Sequence, residues 1–225
     1  MGAGQSVRPA ESVLSRPPAS DFDLAALADG AVVVCYAPLV VPGRARDRLV
    51  GTLNGDETAR ARAFLDPRLG RRFAVGRGTV RVVLARYLGI APAAVRFGPG
   101  PNGKPHLDAP HVSRLDFNIS HSGDRLAIAA TKRGSVGIDI ERLRPMPDAE
   151  ELAEKILSAN EIAVLANLPK LQRERAFLVA WVRKEACLKA AGAGFSMSPT
   201  DFDVLTRGET DRGMRVGGLG ADDVA

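Results

Sequence analysis

With 225 residues, 45% hydrophobic and 25% charged, the chain has a globular composition with room for one large domain or two small ones. Its net charge of +5 suits a polyanionic partner: nucleic acid, a phosphorylated cofactor or an acidic protein. Two cysteines in unrelated contexts exclude a disulfide framework and point to a reducing cytoplasm, and no apolar run is long enough to span a membrane.

Residues 1–28 carry Pro, Ser, Gly and Ala and read as a flexible N-terminal arm. Ala31 to Ala37 is a β-branched run expected to form a buried strand. Pro38 to Gly51 reads as a basic loop. A helical pattern starts at Asp56 and breaks at Asp66-Pro67. A longer helix follows from about Leu69 to Leu88, with Phe73, Val80, Val83, Leu84, Tyr87 and Leu88 on its inner stripe and Gly89 as C-cap. Its arginines, among them Arg71, Arg77, Arg81 and Arg86, read as surface charges. Arg72 lies near the helix start, where an anion can also meet the helix dipole.

Val95 to Phe97 reads as a strand and Gly98 to Pro105 as a proline-stiffened loop. Leu115–Ser120 and Leu126–Thr131 form a hairpin around a turn at His121-Ser122-Gly123-Asp124. A second turn, Arg133-Gly134-Ser135, delivers the chain into Val136-Gly137-Ile138-Asp139-Ile140-Glu141. A side-chain period of two puts the three aliphatics on one face and Asp139 and Glu141 together on the other. Two carboxylates about 5 Å apart repel by roughly 3 kcal/mol at an effective dielectric near 20. A cation is expected between them, and hard oxygen donors suit Mg²⁺. The plain alternative is a solvated acidic strand face.

Helices are expected over 148–157 and 161–168, the second opened by a capping box of Ser158 and Glu161. The longest helix runs from about Leu171 to Ala191 and ends at Gly192. Phe202 to Leu205 reads as a short strand, and residues 207–225 as a disordered tail. The chain therefore divides into an N-terminal lobe over 29–134 and a C-terminal lobe over 135–206. On the long helix Trp181, Glu185 and Lys189 are spaced i, i+4, i+8 and form one ladder. Taken alone, Glu185 and Lys189 make a surface ion pair. Taken with the acidic strand, Glu185 completes a carboxylate triad, and Lys189 meets a phosphate held by the metal. That combination suits displacement at phosphorus.

Four blocks carry a family resemblance: the helix around Arg72, Gly103-Lys104-Pro105, Phe117-Asn118-Ile119-Ser120-His121-Ser122, and Val136 to Glu141 followed by Trp181-Val182-Arg183-Lys184-Glu185-Ala186 and Lys189. In this order and spacing they resemble the Sfp-type 4′-phosphopantetheinyl transferases. The resemblance implies an α+β fold of two pseudo-symmetric lobes, each an antiparallel sheet packed by a long helix, in a cytoplasmic monomer with an internal pseudo-twofold. It implies transfer of 4′-phosphopantetheine from coenzyme A to a serine of an apo acyl or peptidyl carrier protein of secondary metabolism. The reaction would depend on Mg²⁺ and release adenosine 3′,5′-bisphosphate. By the same resemblance Asp139, Glu141 and Glu185 match the metal-binding acids, and Lys189 the lysine near the pyrophosphate. Arg72, Ser120 and His121 match groups around the cofactor phosphates, and Gly103, Lys104 and Pro105 the loop at its adenine end. Glu161 aligns with a glutamate implicated in deprotonating the carrier serine, although its capping box explains it equally well; Glu185 is the alternative acceptor. The region after Leu205 departs from the family by being short and Gly-rich, so strands of the second lobe are in question. Two other readings stand beside this one. One is a catalytically silent member that binds coenzyme A or a carrier. The other is a basic nucleic-acid-binding protein, disfavoured because aromatics are 5% of the chain and none interleaves with a basic stretch. Neither a nucleic-acid nor a membrane partner is expected.

Overall fold

The computed structural model describes residues 31–100, 104–108, 115–192 and 197–205. The expected arm over 1–28, the expected tail over 207–225 and Gly103 lie outside these residues. Among the described residues no helix is long and apolar enough to cross a membrane.

The first half is built on a three-stranded antiparallel sheet. Strand β1 (Val33–Pro38) and strand β4 (Asp116–Ser122) flank the central strand β5 (Arg125–Thr131). Alternation along β5 sorts its side chains by face. Leu126, Ile128 and Ala130 enter one core with Cys35, Phe117, Val80, Val83 and Leu84. Ala127 and Ala129 enter a second one, on the opposite face. The first core lies under helix α3 (Pro67–Leu88), reached through helices α1 (Gly43–Val50) and α2 (Gly55–Arg62). Asp66 starts α3 by accepting the amide of Arg68, with Pro67 in the first turn, and Gly89 ends it at φ 67°. A small two-stranded ribbon, β2 (Phe97–Pro99) with β3 (Pro105–Leu107), closes the edge of this half.

Three expectations are corrected here. The basic stretch after Pro38 is not all loop: it holds α1, an Arg-rich helix with no buried residue that lies against α3. Arg81 is not a surface charge. It is 1% exposed, pairs with Glu57, and donates to the carbonyls of Pro92, Ala93 and Val95. The hairpin turn is shorter than expected, so His121 and Ser122 belong to β4, paired with Leu126 and Arg125.

The second half is helical. After a turn with Gly134 at φ 73°, residues 135–146 run without regular secondary structure. Helices α4 (Ala149–Ile156), α5 (Ala159–Ala166) and α6 (Lys170–Ala191) follow, then a short 3₁₀ turn over Pro199–Asp201. Met146, Leu157, Leu165, Phe177, Leu178, Ala180 and Leu205 form their shared core. The expected capping box is present, with Ser158 and Glu161 each accepting the other's amide. Among the described residues this half contains no strand, so the expected strands at 136–141 and 202–205 are absent. Each half does carry one 22-residue helix, but the expectation of a sheet in each lobe fails for the second. The cause lies in what happens to the amides of residues 136–142.

Candidate active site

Those amides are satisfied by side chains of β4. The backbone N–H of Val136 donates to Asp116 Oδ2 (2.7 Å), that of Ile138 to Asn118 Oδ1 (3.0 Å), that of Ile140 to Ser120 Oγ (3.3 Å), and that of Arg142 to Ser122 Oγ (3.0 Å). The offset is twenty residues at every rung, so the segment runs parallel to β4 across the tips of its polar side chains. Four amides that a neighbouring strand would normally satisfy thus find acceptors without one. On the apolar side, Val136, Ile138 and Ile140 pack on Ala127 and Ala129. The small alanines let the segment lie close over the sheet.

Helix α6 crosses the segment at Gly137. A Cβ there would stand 3.0 Å from the carbonyl carbon of Ala186, and closer still to its oxygen and to the amide nitrogen of Ala190. No side chain fits, and this close approach brings one turn of α6 beside the acids. Lys189 Nζ reaches Asp139 Oδ1 at 2.5 Å and Ser120 Oγ at 3.5 Å. Ser120 donates to the same Asp139 oxygen at 2.7 Å, and Ser122 donates to Glu141 Oε2 at 2.7 Å. Glu185, one turn before Lys189, is held above the usual carboxylate range. Burial is the main cause; Lys189 pulls it down, and the charges of Asp139 and Glu141 push it up. Glu185 thus lies within electrostatic reach of Lys189, Asp139 and Glu141.

The donor set is three carboxylates, which suits a hard cation. Asp139 Oδ2 is buried and has no hydrogen-bond partner. A buried carboxylate oxygen left unpaired costs on the order of 1–3 kcal/mol or more, so this atom has unused capacity for a positive group. Among the described residues no three acidic, histidine or cysteine side chains stand at metal-ligating spacing, and Lys189 is the cation that Asp139 holds. The residues fit Mg²⁺ in their chemistry, three carboxylates with one buried oxygen unpaired, and not in their present spacing.

The remaining expected site residues are spread around this centre. Ser120 points to the acids. His121 is opposite Leu126, whose side chain faces α3, so it lies on the other face of the sheet, exposed at the end of β4. Arg72 pairs with Asp124 in the hairpin turn, at the rim of an open cleft of about 350 Å³ lined by Ser122, Asp124, Arg125, Glu141 and Arg142. Lys104 is at the far end of the ladder, donating to Asp116 (2.8 Å) and to the carbonyl of Val136 (3.0 Å). It stands four residues of β4 from Ser120, or about 13 Å. Pro105 pairs with Pro99 in the small ribbon.

Glu161 is occupied elsewhere. It is fully buried, forms an ion pair with buried Lys184 at 2.7 Å, and accepts the amides of Ser158, Val204 and Leu205. Cap, ion pair and the tie to residues 204–205 account for all of these contacts, and none joins the acid cluster. Sequence reasoning passed over Lys184, read only as part of a motif, and over the ladder itself. The signal for the ladder was present: polar residues at 116, 118, 120 and 122 repeat with period two on a strand whose alternate positions begin with the apolar Phe117 and Ile119.

The family model for the 4′-phosphopantetheinyl transferase superfamily matches residues 135–220. A model for the N-terminal part of 4′-phosphopantetheinyl transferases matches residues 46–133. The chain is 41% identical over 160 residues to the 4′-phosphopantetheinyl transferase HetI of a Nostoc species, covering 71% of this chain and 68% of that protein. The chain belongs to the 4′-phosphopantetheinyl transferase family. A putative 4′-phosphopantetheinyl transferase of a Synechocystis species is 34% identical over 64% of this chain and 58% of its own length. The 4′-phosphopantetheinyl transferase psf-1 of Bacillus pumilus is 33% identical over 59% and 54%. The chain thus spans between about half and two thirds of the length of these family members. The boundary between the two matched regions, at 133 to 135, is the turn that separates the sheet from the acidic segment.

Proposed function

We propose that this protein transfers 4′-phosphopantetheine from coenzyme A to a serine hydroxyl of an apo acyl or peptidyl carrier protein, in an Mg²⁺-dependent reaction that releases adenosine 3′,5′-bisphosphate. The observation that carries the reading is the convergence of Lys189, Ser120 and Asp139 within hydrogen-bond distance, with Glu185 electrostatically coupled to Asp139 and Glu141. Asp139, Glu141 and Glu185 would hold Mg²⁺, which supplies positive charge to the diphosphate when bound. Lys189 stands beside them to receive a non-bridging phosphate oxygen, and Ser120 keeps Asp139 oriented. Arg72 and Arg142 border the cleft next to Glu141 and suit the phosphates of a polyanionic cofactor. His121, Lys104 and Pro105 would extend the contact surface for the rest of coenzyme A. Bond making is between the carrier serine Oγ and the β-phosphorus, and the bond to the adenosine-side phosphate breaks. The serine proton needs an acceptor. Glu185 lies within electrostatic reach of Asp139 and Glu141, whereas Glu161 is taken up by Lys184 and three amides, so we assign Glu185. The two cysteines, Cys35 and Cys187, are unpaired, which fits a cytoplasmic enzyme, and a monomer serving carriers of secondary metabolism completes the reading.

The test is one incubation of the protein with apo carrier protein, coenzyme A and Mg²⁺, read by intact-protein mass. A carrier that gains the phosphopantetheine mass supports the proposal. Coenzyme A binding with no mass gain points instead to a silent family member. Omission of Mg²⁺, or Asp139→Ala, should abolish the gain while leaving the melting temperature close to that of wild type.

A further inference from the structure

Ser120 and Ser122 make the same pair of bonds one rung apart. Each hydroxyl has one proton and two lone pairs. In each case the proton goes to the carboxylate of the preceding segment residue, and a lone pair takes the amide of the next one. Ser120 donates to Asp139 and accepts from Ile140; Ser122 donates to Glu141 and accepts from Arg142. We infer that Ser122 is a positioning residue that sets the rotamer of Glu141 for cation binding. This inference rests on the proposed role of Asp139, Glu141 and Glu185.

The physical reason is the freedom Glu141 would otherwise have. It is a long side chain on a segment with no backbone ladder, only half-buried and bordering the open cleft. Among the described residues it makes no ion pair within 4 Å. Holding a glutamate rotamer costs up to about 2 kcal/mol of entropy, and here the one hydrogen bond from Ser122 offsets that cost before any cation arrives. With Oε2 engaged by Ser122, Oε1 is the oxygen left for a cation. Fixing the adjacent amide of Arg142 removes the backbone freedom of the same residue. Ser122 itself is held by its place in β4, opposite Arg125, so the clamp is anchored in a regular strand.

The test is a Mn²⁺ titration of the full-length protein with coenzyme A and no carrier protein, followed by electron paramagnetic resonance of free Mn²⁺. Outer-shell partners of metal ligands typically contribute about 10- to 100-fold in affinity. Ser122→Ala should weaken Mn²⁺ binding at least tenfold, and Ser122→Thr, which keeps the hydroxyl, should stay within about threefold of wild type. The deciding comparison is made in a Glu141→Gln background. There Ser122→Ala should produce no further loss, because the clamp acts only through Glu141. An unchanged affinity in Ser122→Ala overturns the role. So does an equal loss in the Glu141→Gln background, which would mark a general structural effect. A wild-type protein that binds no Mn²⁺ overturns this inference together with the metal reading beneath it. Wild-type binding with an unmoved Ser122→Ala overturns the positioning role alone.

Discussion

Replacing Gly137 with alanine should damage stability and turnover together. A methyl carbon at this position would lie 3.0 Å from the carbonyl carbon of Ala186, with the Ala186 oxygen and the Ala190 amide nearer still. Carbon–carbon contacts settle at about 3.5–4.0 Å, so helix α6 must back away by at least about 0.5 Å, and by more at the oxygen. The obstructing atoms are backbone, which no rotamer change can move. Overpacking of this kind costs about 1–3 kcal/mol. Taking about 2–3 kcal/mol, the upper part of that range, and about 2–4 °C per kcal/mol for a domain of this size, the melting temperature should fall by roughly 4–12 °C. The same displacement carries Glu185 and Lys189 away from Asp139, since both stand on the turns that touch Gly137. A shift near 1 Å at a catalytic constellation is worth about a hundredfold in rate. Thermal denaturation and the carrier-transfer assay at a temperature where the variant is folded measure the two effects. A variant that melts within about 1 °C of wild type and turns over within a factor of two would show that α6 is not held at this contact.

Arg72→Ala should raise the KM for coenzyme A and spare kcat, because Arg72, held on Asp124 at the rim of the cleft, is proposed to touch a part of the cofactor that does not react; its pairing with Asp124 is exposed, so the melting temperature should barely move. A fall in kcat alone would contradict this. Lys184→Met should cost about 3–5 kcal/mol, since it strands the buried Glu161 charge, and should leave coenzyme A binding intact in the folded fraction; a normal melt would refute the ion pair. Glu185 contributes a pH signature. Its folded pKa lies above the unfolded one, chiefly through burial, so its contribution to stability is present below the ordinary carboxylate range and is lost as pH rises through the folded value. In chelator-treated buffer Glu185→Gln should therefore melt above wild type near neutral pH, with the gap closing toward about pH 4. An equal gap at both pH values would refute it.

The parts of the fold that were legible are those written in local periodicity. The stripe of Val80, Val83, Leu84 and Tyr87 identified α3, and the run around Phe177 and Leu178 identified α6. The alternation of Val136, Ile138 and Ile140 with Asp139 and Glu141 named the right faces, because an extended chain has a side-chain period of two whether or not it is in a sheet. What it could not reveal is the partner. The acceptors are side chains twenty residues earlier, and no local pattern encodes that distance. Helix α1 was missed because Arg44, Arg46 and Arg48 dominate it and only Ala45, Leu49 and Val50 are even partly buried, too short an apolar stripe to stand out. Arg81 was misread for the opposite reason. Its burial depends on Glu57 and on three carbonyls from the turn after α3, which meet only in the folded chain. Glu161 was legible as a cap, and its pairing with Lys184 was not, since the two are brought together by packing of α5 on α6.

The absence of a sheet from the described part of the second half follows from how the first half is finished. A sheet has two faces to cover. Helix α3 covers one with Val80, Val83 and Leu84. The other presents Ala127 and Ala129 beside a row of acceptors, Asp116, Asn118, Ser120 and Ser122, and a single extended segment satisfies both demands. Its aliphatics meet the alanines and its amides meet the acceptors. That segment is thin at Gly137, so α6 can lie directly on it. Three layers with small residues at each contact bring a strand side chain (Ser120), two segment acids and two helix residues (Glu185 and Lys189) into one site. The site therefore belongs to neither half. It exists only where the sheet, the segment and the helix are stacked, and the smallness of Ala127, Ala129 and Gly137 is as much a condition for it as the charges themselves.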